Sequence, residues 1–305
     1  MPRGSRLRKL VRRTLDRLPY VGALREQVRN AGLYPVGHFY SPIPTRAEIH
    51  ARIHALQQSN GDIPGINLNV ERQLEVLESF FQFYGDLPFP EEPSANCRYY
   101  FNQTSFCYAD AIFLYSFLRL VQPKKIIEVG SGFSSAVMLD TVDKFFDHCP
   151  EVTFIEPFPV NLKELLKPQD YKRVRLIEDR VQTVSVNTFK SLQVGDLLFI
   201  DSSHVLKCGS DVQFLMFDVL PQVPVGVFVH FHDVLDSFEY PPEWLLEGRY
   251  WNEGYVLRAF LSYNSAWEIY FFGNYAVRAF GKFFAEKMPL CVKNPGGSLY
   301  IRRIA

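Results

Sequence analysis

A chain of 305 residues with 47% apolar side chains can bury a sizeable core, and it fits one large domain with an appended segment better than two equal domains. Its 33 Lys and Arg balance 33 Asp and Glu, which excludes a whole-molecule electrostatic preference for nucleic acid or membrane. No apolar run reaches the roughly 18 residues of a membrane span, the N-terminus lacks the apolar core of a secretory signal, and the five cysteines are scattered; a cytoplasmic protein with reduced thiols is expected.

Residues 1–30 carry Arg3, Arg6, Arg8, Lys9, Arg12, Arg13, Arg17, Arg25 and Arg29 against Asp16 and Glu26. Over residues 5–18, Leu7, Leu10, Val11, Leu15 and Leu18 recur at helical spacing between arginines, which predicts a short amphipathic basic helix. Such a helix can make peripheral contact with an acidic membrane surface, although its short apolar face favours packing on its own domain. Next, the Pro-rich, aromatic LYPVGHFYSPIPT reads as an ordered extended segment. VERQLEVLESFFQFY follows as a helix. The break LPFPEEPS then sets the expected division: a basic helical and extended segment over 1–95, and a second domain over 96–305.

From residue 105 helices and strands alternate, the pattern of an α/β domain with a mainly parallel sheet. ADAIFLYSFLRLV is an apolar helix leading into the first strand, KKIIEV. EVTFIEP, KRVRLIED, GDLLFID and VGVFVHFHD are the next four. Each ends in a polar residue, and in open α/β sheets the ligand lies outside the carboxyl ends of the strands.

After the first strand, Gly130 and Gly132 allow a tight turn and close backbone approach, with Ser135 where a dinucleotide fingerprint has its third glycine. A carboxylate at Glu128 suits a ligand with an ammonium or sulfonium charge. Glu156 is placed to accept hydrogen bonds from both ribose hydroxyls. Asp179 can take the amine of an adenine, with Arg180 or Val181 over the ring. Singly, each acid can equally cap the helix that follows it; three at successive strand ends point to a nucleoside ligand.

EVGSGFSS, FIEP, LIEDRV, DLLFIDSSH and VHFHDV, in that order, resemble the class I S-adenosylmethionine-dependent methyltransferases over roughly residues 98–280. The likeness is to the branch with bacterial O-methyltransferases acting on sugars of polysaccharides and macrolides. The resemblance implies a Rossmann-like seven-stranded sheet of order 3-2-1-4-5-7-6 with helices on both faces, GGSLYIRR forming the antiparallel strand. It implies S-adenosylmethionine as cofactor, held by Glu128, Gly130, Ser131, Gly132, Ser134, Glu156, Asp179 and Arg180. Asn102, Tyr108 and Asp110 are secondary contacts from the segment that folds over the cofactor in that branch.

Methyl transfer from a sulfonium is an in-line displacement, so alignment matters most, and an aliphatic hydroxyl needs help to lose its proton. Asp201 ends the fourth strand and His232 with Asp233 the fifth, so the three can aim at one divalent metal ion; His204, three residues after Asp201, can act as base. The resemblance supports both roles, but it puts a carboxylate at the position of His232, which weakens magnesium and leaves room for manganese or for no ion. His230 is expected to satisfy a hydrogen bond inside the sheet. The aromatic, acid-rich run DSFEYPPEWLLEGRYWNEGYVLRAFL offers Glu239, Tyr240, Trp244 and Glu253 as substrate contacts for a glycan or small-molecule acceptor. A homo-oligomer is compatible with the sequence. A nicotinamide-dependent oxidoreductase and a non-catalytic adenosylmethionine-binding module are the competing functions, and nucleic acid is not an expected partner.

Overall fold

β1 (Lys125–Val129), β2 (Glu151–Ile155), β3 (Val174–Ile177), β4 (Leu197–Ile200) and β5 (Phe228–Phe231) are parallel, and they form where Val, Ile, Leu and Phe cluster between polar residues. β7 (Leu299–Arg303) runs antiparallel between β5 and β6 (Trp267–Phe272), so the sheet order is β3-β2-β1-β4-β5-β7-β6, as expected. In this computed structural model, residues 32–57 and 63–305 are described, with positions 21 and 23; the helix expected over residues 5–18 lies outside them.

Alternate strand residues feed two apolar layers. Ile126, Phe154, Phe199 and Phe228 face one, with the helices Ala109–Val121 and Phe133–Phe145. Ile127, Ile155, Ile200 and Val229 face the other, with the helix Glu253–Leu261. The parity places Glu128, His230 and His232 on the first face, which is why polar groups there meet helix hydroxyls and aromatic rings.

Contacts group the described chain in two compact units, residues 32–57 with Pro242–Tyr250, and residues 63–241 with Trp251–Ala305. In the first, residues 33–45 run as successive turns and not as the expected extended segment. Gly37 takes φ +78° and its N–H donates to the Ile43 carbonyl, which folds the stretch back on itself and clusters the rings of Tyr34, His38, Phe39 and Tyr40. The helices Arg46–Gln57 and Pro242–Glu247 pack together there, Arg46 Nη2 reaching the Leu246 carbonyl.

In the second unit, helix Val70–Tyr84 covers the open edge of β6. Gln73 accepts from the Phe272 N–H at 2.8 Å and Asn69 donates to the Ile269 carbonyl at 3.3 Å, supplying partners that no further strand provides. Arg98, 1% exposed in its side chain, donates to Asp140, Asp143 and Asp170 and so pins the segment before helix Ala109–Val121 to helix Phe133–Phe145. Removing one partner of so buried a set would strand a charge. No helix among the described residues is long and apolar enough to cross a membrane.

Candidate active site

The glycine turn joins β1 to helix Phe133–Phe145 and abuts the end of β4. The Asp201 N–H donates to the Val129 carbonyl, so the two strand ends touch. Gly130 sits at φ +80°, and a Cβ there would lie 1.8 Å from the Asp201 carbonyl oxygen; only glycine meets both conditions. Glu128, one face inward, is fully buried. It accepts from Ser134 Oγ at 2.5 Å and from Ser135 Oγ, whose oxygen in turn accepts from the Gly132 N–H. Burial pushes the Glu128 carboxyl up to about 8, against the opposing effect of the serine hydroxyls.

Outside these strand ends lies a cavity of about 570 Å³ whose lining includes Gly130, Glu156, Phe158, Arg180 and Asp201. Glu156 is held in place by the Phe158 N–H at 2.8 Å and the Ser131 N–H at 3.3 Å. Asp179 is exposed and accepts from the Arg180 N–H. The cavity thus gathers Gly130, Glu156, Arg180 and Asp201 from the expected set, while Glu128 stands behind its serines. Asn102 is exposed and donates to Glu92, and Tyr108 donates to Glu91. Asp110, buried at the start of helix Ala109–Val121, accepts from the Gly297 N–H and Ser298 Oγ, tying that helix to the entry of β7. Phe158, 78% exposed, also lines the cavity; its signal in the sequence is an aromatic two residues past the acidic strand end at Glu156.

The ends of β4 and β5 converge on one imidazole. His204 Nε2 lies 3.3 Å from Asp201 Oδ1 and 3.5 Å from Asp233 Oδ2, and its Nδ1 lies 2.9 Å from Glu253 Oε2. The Trp251 ring centroid is 4.3 Å from that of His204. Burial alone would lower the His204 pKa; the hydrogen bonds to Asp201 and Glu253 outweigh it and push the pKa up to about 10. Asp201 is held below its usual range despite burial, by the charge of His232 and the His204 hydrogen bond. His204 and Asp233 occupy left-handed backbone, φ +59° and +56°, a strain of roughly 1–3 kcal/mol each that the surrounding contacts sustain.

His232 is buried, with Nε2 3.7 Å from Asp233 Oδ1 and no hydrogen-bond partner for Nδ1 among the described residues. The charges of Asp233, Asp201 and Asp110 raise its pKa against burial. His230 does not make the core hydrogen bond expected of it: neither ring nitrogen has a partner among the described residues, and the ring stacks on Phe199 with centroids 3.9 Å apart. Burial holds it neutral, well below the usual histidine range. Of the expected substrate residues, Tyr240 accepts from the Gly254 N–H, Glu239 accepts from the Tyr255 hydroxyl, and Glu253 meets His204 and Ser202. Trp244 belongs to the first unit, under the Arg249 guanidinium.

The family described as a methyltransferase domain matches residues 127–234, the span from β1 to just past β5. A protein of Archaeoglobus fulgidus, described only as uncharacterized, is 35% identical over 167 residues, which cover 53% of this chain and 74% of that one. Among solved structures, the adenosylhomocysteine-bound methyltransferase PaMTH1 of Podospora anserina is 18% identical, with 86% and 98% of the two chains covered and a TM-score of 0.40. The O-methyltransferase TomG of Streptomyces achromogenes, solved with S-adenosylmethionine, is 14% identical, with 77% and 90% covered and a TM-score of 0.42. Likenesses of that size decide nothing about the chemistry.

Proposed function

Because this chain belongs to the class I S-adenosylmethionine-dependent methyltransferases, we propose that it methylates a hydroxyl oxygen of a sugar, in a glycan or a glycosylated metabolite, with His204 as general base. One observation carries the reading: an imidazole enclosed by three carboxylates, one of which, Asp201, also lines the cofactor-sized cavity.

The residues present fit the cofactor. Gly130 leaves bare backbone where any Cβ would strike Asp201, and Glu156 faces the cavity from the end of β2, ready to accept from paired ribose hydroxyls. Phe158 and Arg180 flank the same space and would enclose the base. When bound, the cofactor supplies a methyl group on a positively charged sulfur. His204 takes the proton of the acceptor hydroxyl at Nε2, the ring nitrogen turned to the β4 and β5 ends, as the oxygen forms its bond to the methyl carbon. Trp251, half-buried beside the His204 ring, offers an aromatic face for the apolar face of a sugar ring, and the buried Tyr240 ring packs edge-on against it.

A divalent ion at Asp201, His232 and Asp233 does not fit the donors as they stand. Both carboxylates close on His204 Nε2, and among the described residues no three His, Cys, Asp or Glu side chains are arranged to hold a metal. The five free, scattered cysteines support a reducing compartment such as the cytoplasm.

Calorimetric titration with S-adenosylhomocysteine in chelator, with NADH as control, tests the cofactor. Transfer of labelled methyl from S-adenosylmethionine to a saccharide panel tests the rest. An alkali-stable ether on a sugar is expected; labelled product confined to amines or carboxylates would sink the sugar reading.

A further inference from the structure

A general base must offer one ring nitrogen to the acceptor and keep the other engaged, or half of its orientations are idle. At His204 the engagement comes from 49 residues downstream. The Asn252 and Glu253 N–H groups both donate to the His204 carbonyl, at 3.0 and 3.1 Å. Asn252 also brackets the following turn, accepting from the Leu206 N–H at 2.6 Å and donating to the Leu206 carbonyl at 3.3 Å. The Glu253 side chain, buried like His204, accepts from Ser202 Oγ at 2.9 Å with Oε1 and meets His204 Nδ1 at 2.9 Å with Oε2. Ser202 Oγ in turn accepts from the His204 N–H at 2.9 Å. Backbone and side chain of His204 are therefore gripped by one short stretch, Asn252–Glu253, which also sustains the left-handed conformation at φ +59°.

We propose that Glu253 is the positioning residue of His204: it fixes a proton on Nδ1 and turns Nε2 toward the acceptor, in place of the substrate contact that its aromatic, acid-rich surroundings suggest. The inference rests on His204 being the base. In the reaction, the acceptor oxygen forms its bond to the methyl carbon as the carbon–sulfur bond breaks and sulfur keeps the electron pair. The acceptor proton passes to Nε2. Glu253 remains a carboxylate throughout and faces the full imidazolium charge at the moment it forms, which is where a negative partner helps most.

The test reads the ring proton directly. Protein labelled with ¹⁵N-histidine is saturated with S-adenosylhomocysteine; the ring N–H resonances of His204 are identified by their absence from His204→Ala, and Nδ1–H is told from Nε2–H by its couplings to the two carbon-bound ring protons. Glu253→Gln keeps an acceptor without charge, and its Nδ1–H resonance should persist, shifted upfield. Glu253→Ala should lose the resonance while S-adenosylhomocysteine affinity stays within about twofold. On a hydroxyl acceptor, Glu253→Ala should lower kcat about 10²-fold or more with KM for S-adenosylmethionine unchanged. A His204 Nδ1–H that stays slowly exchanging in Glu253→Ala, or a variant whose only defect is a raised acceptor KM, overturns the proposal. Failure of every hydroxyl acceptor would strike the O-methylation reading alone and leave the resonance result standing.

Discussion

The two halves of the strand-end surface are built differently. At the ends of β1, β2 and β3, each carboxylate is held by its own neighbourhood: Glu128 by Ser134 and Ser135, Glu156 by the Phe158 and Ser131 N–H groups, Asp179 by the Arg180 N–H. At the ends of β4 and β5, Asp201, Asp233 and Glu253 share one imidazole, and the backbone is left-handed at His204 and Asp233, where glycine would be the relaxed choice. The β1–β3 half is assembled from short-range hydrogen bonds to neutral groups. The β4–β5 half concentrates charge and strain, the combination that marks a candidate catalytic site.

Gly130 is the seam between the halves, and its loss should break both. Gly130→Ala puts a methyl group on the Asp201 carbonyl in left-handed backbone; a loss of about 4 kcal/mol or more is expected, read as a collapsed denaturation midpoint and no S-adenosylhomocysteine binding. A variant that binds normally would mean that the two strand ends part freely.

His204→Ala should separate the halves. Turnover is expected to fall about 10²–10⁴-fold with adenosylhomocysteine affinity unchanged, measured by calorimetry beside single-turnover kinetics. Unaltered turnover would return the chain to the non-catalytic alternative.

The pH profile sharpens the same contrast. In its proposed role as base, His204, whose pKa is pushed up to about 10 by Asp201 and Glu253 with Asp233 also beside it and the charge of His232 coupled to it, is protonated at neutral pH. It gains its active form as pH rises, so kcat/KM of the free enzyme should climb about tenfold per unit from pH 7 toward 10. A plateau already at pH 7 would mean that some other cation neutralises Asp201 and Asp233.

The smallest effect belongs to the β1–β3 half. Glu128 stays protonated in the folded chain up to about pH 8, whereas its ordinary value is 4.5. The folded state therefore binds the extra proton between these values, and the stability contributed is full below 4.5 and lost as pH rises toward 8, by at most about 1.4 kcal/mol per unit. Glu128→Gln has no proton to lose, so its stability relative to the parent should rise across pH 5–8 in urea titrations. A constant difference would place the Glu128 carboxylate in a better solvated state.

Local sequence pattern was enough for the α/β class, the five parallel strands with their polar ends, the Gly130 turn and the gathering of Asp201, His204 and Asp233. Each of these follows from local periodicity, from a glycine where only glycine fits, or from the rule that consecutive strand ends in a parallel sheet share one side. Which carboxylate meets which partner was a matter of how the folded elements pack. Glu128 turns inward because its strand parity faces it to the helix that carries Ser134 and Ser135. His230 loses its expected hydrogen bond because the same parity stacks it on Phe199. Glu253 reaches His204 across 49 residues because helix Glu253–Leu261 begins where the β4 loop turns back. Nothing in the chain near either residue encodes that pairing: a side chain's partner across the fold is set by how the elements pack, and packing is a property of the whole chain.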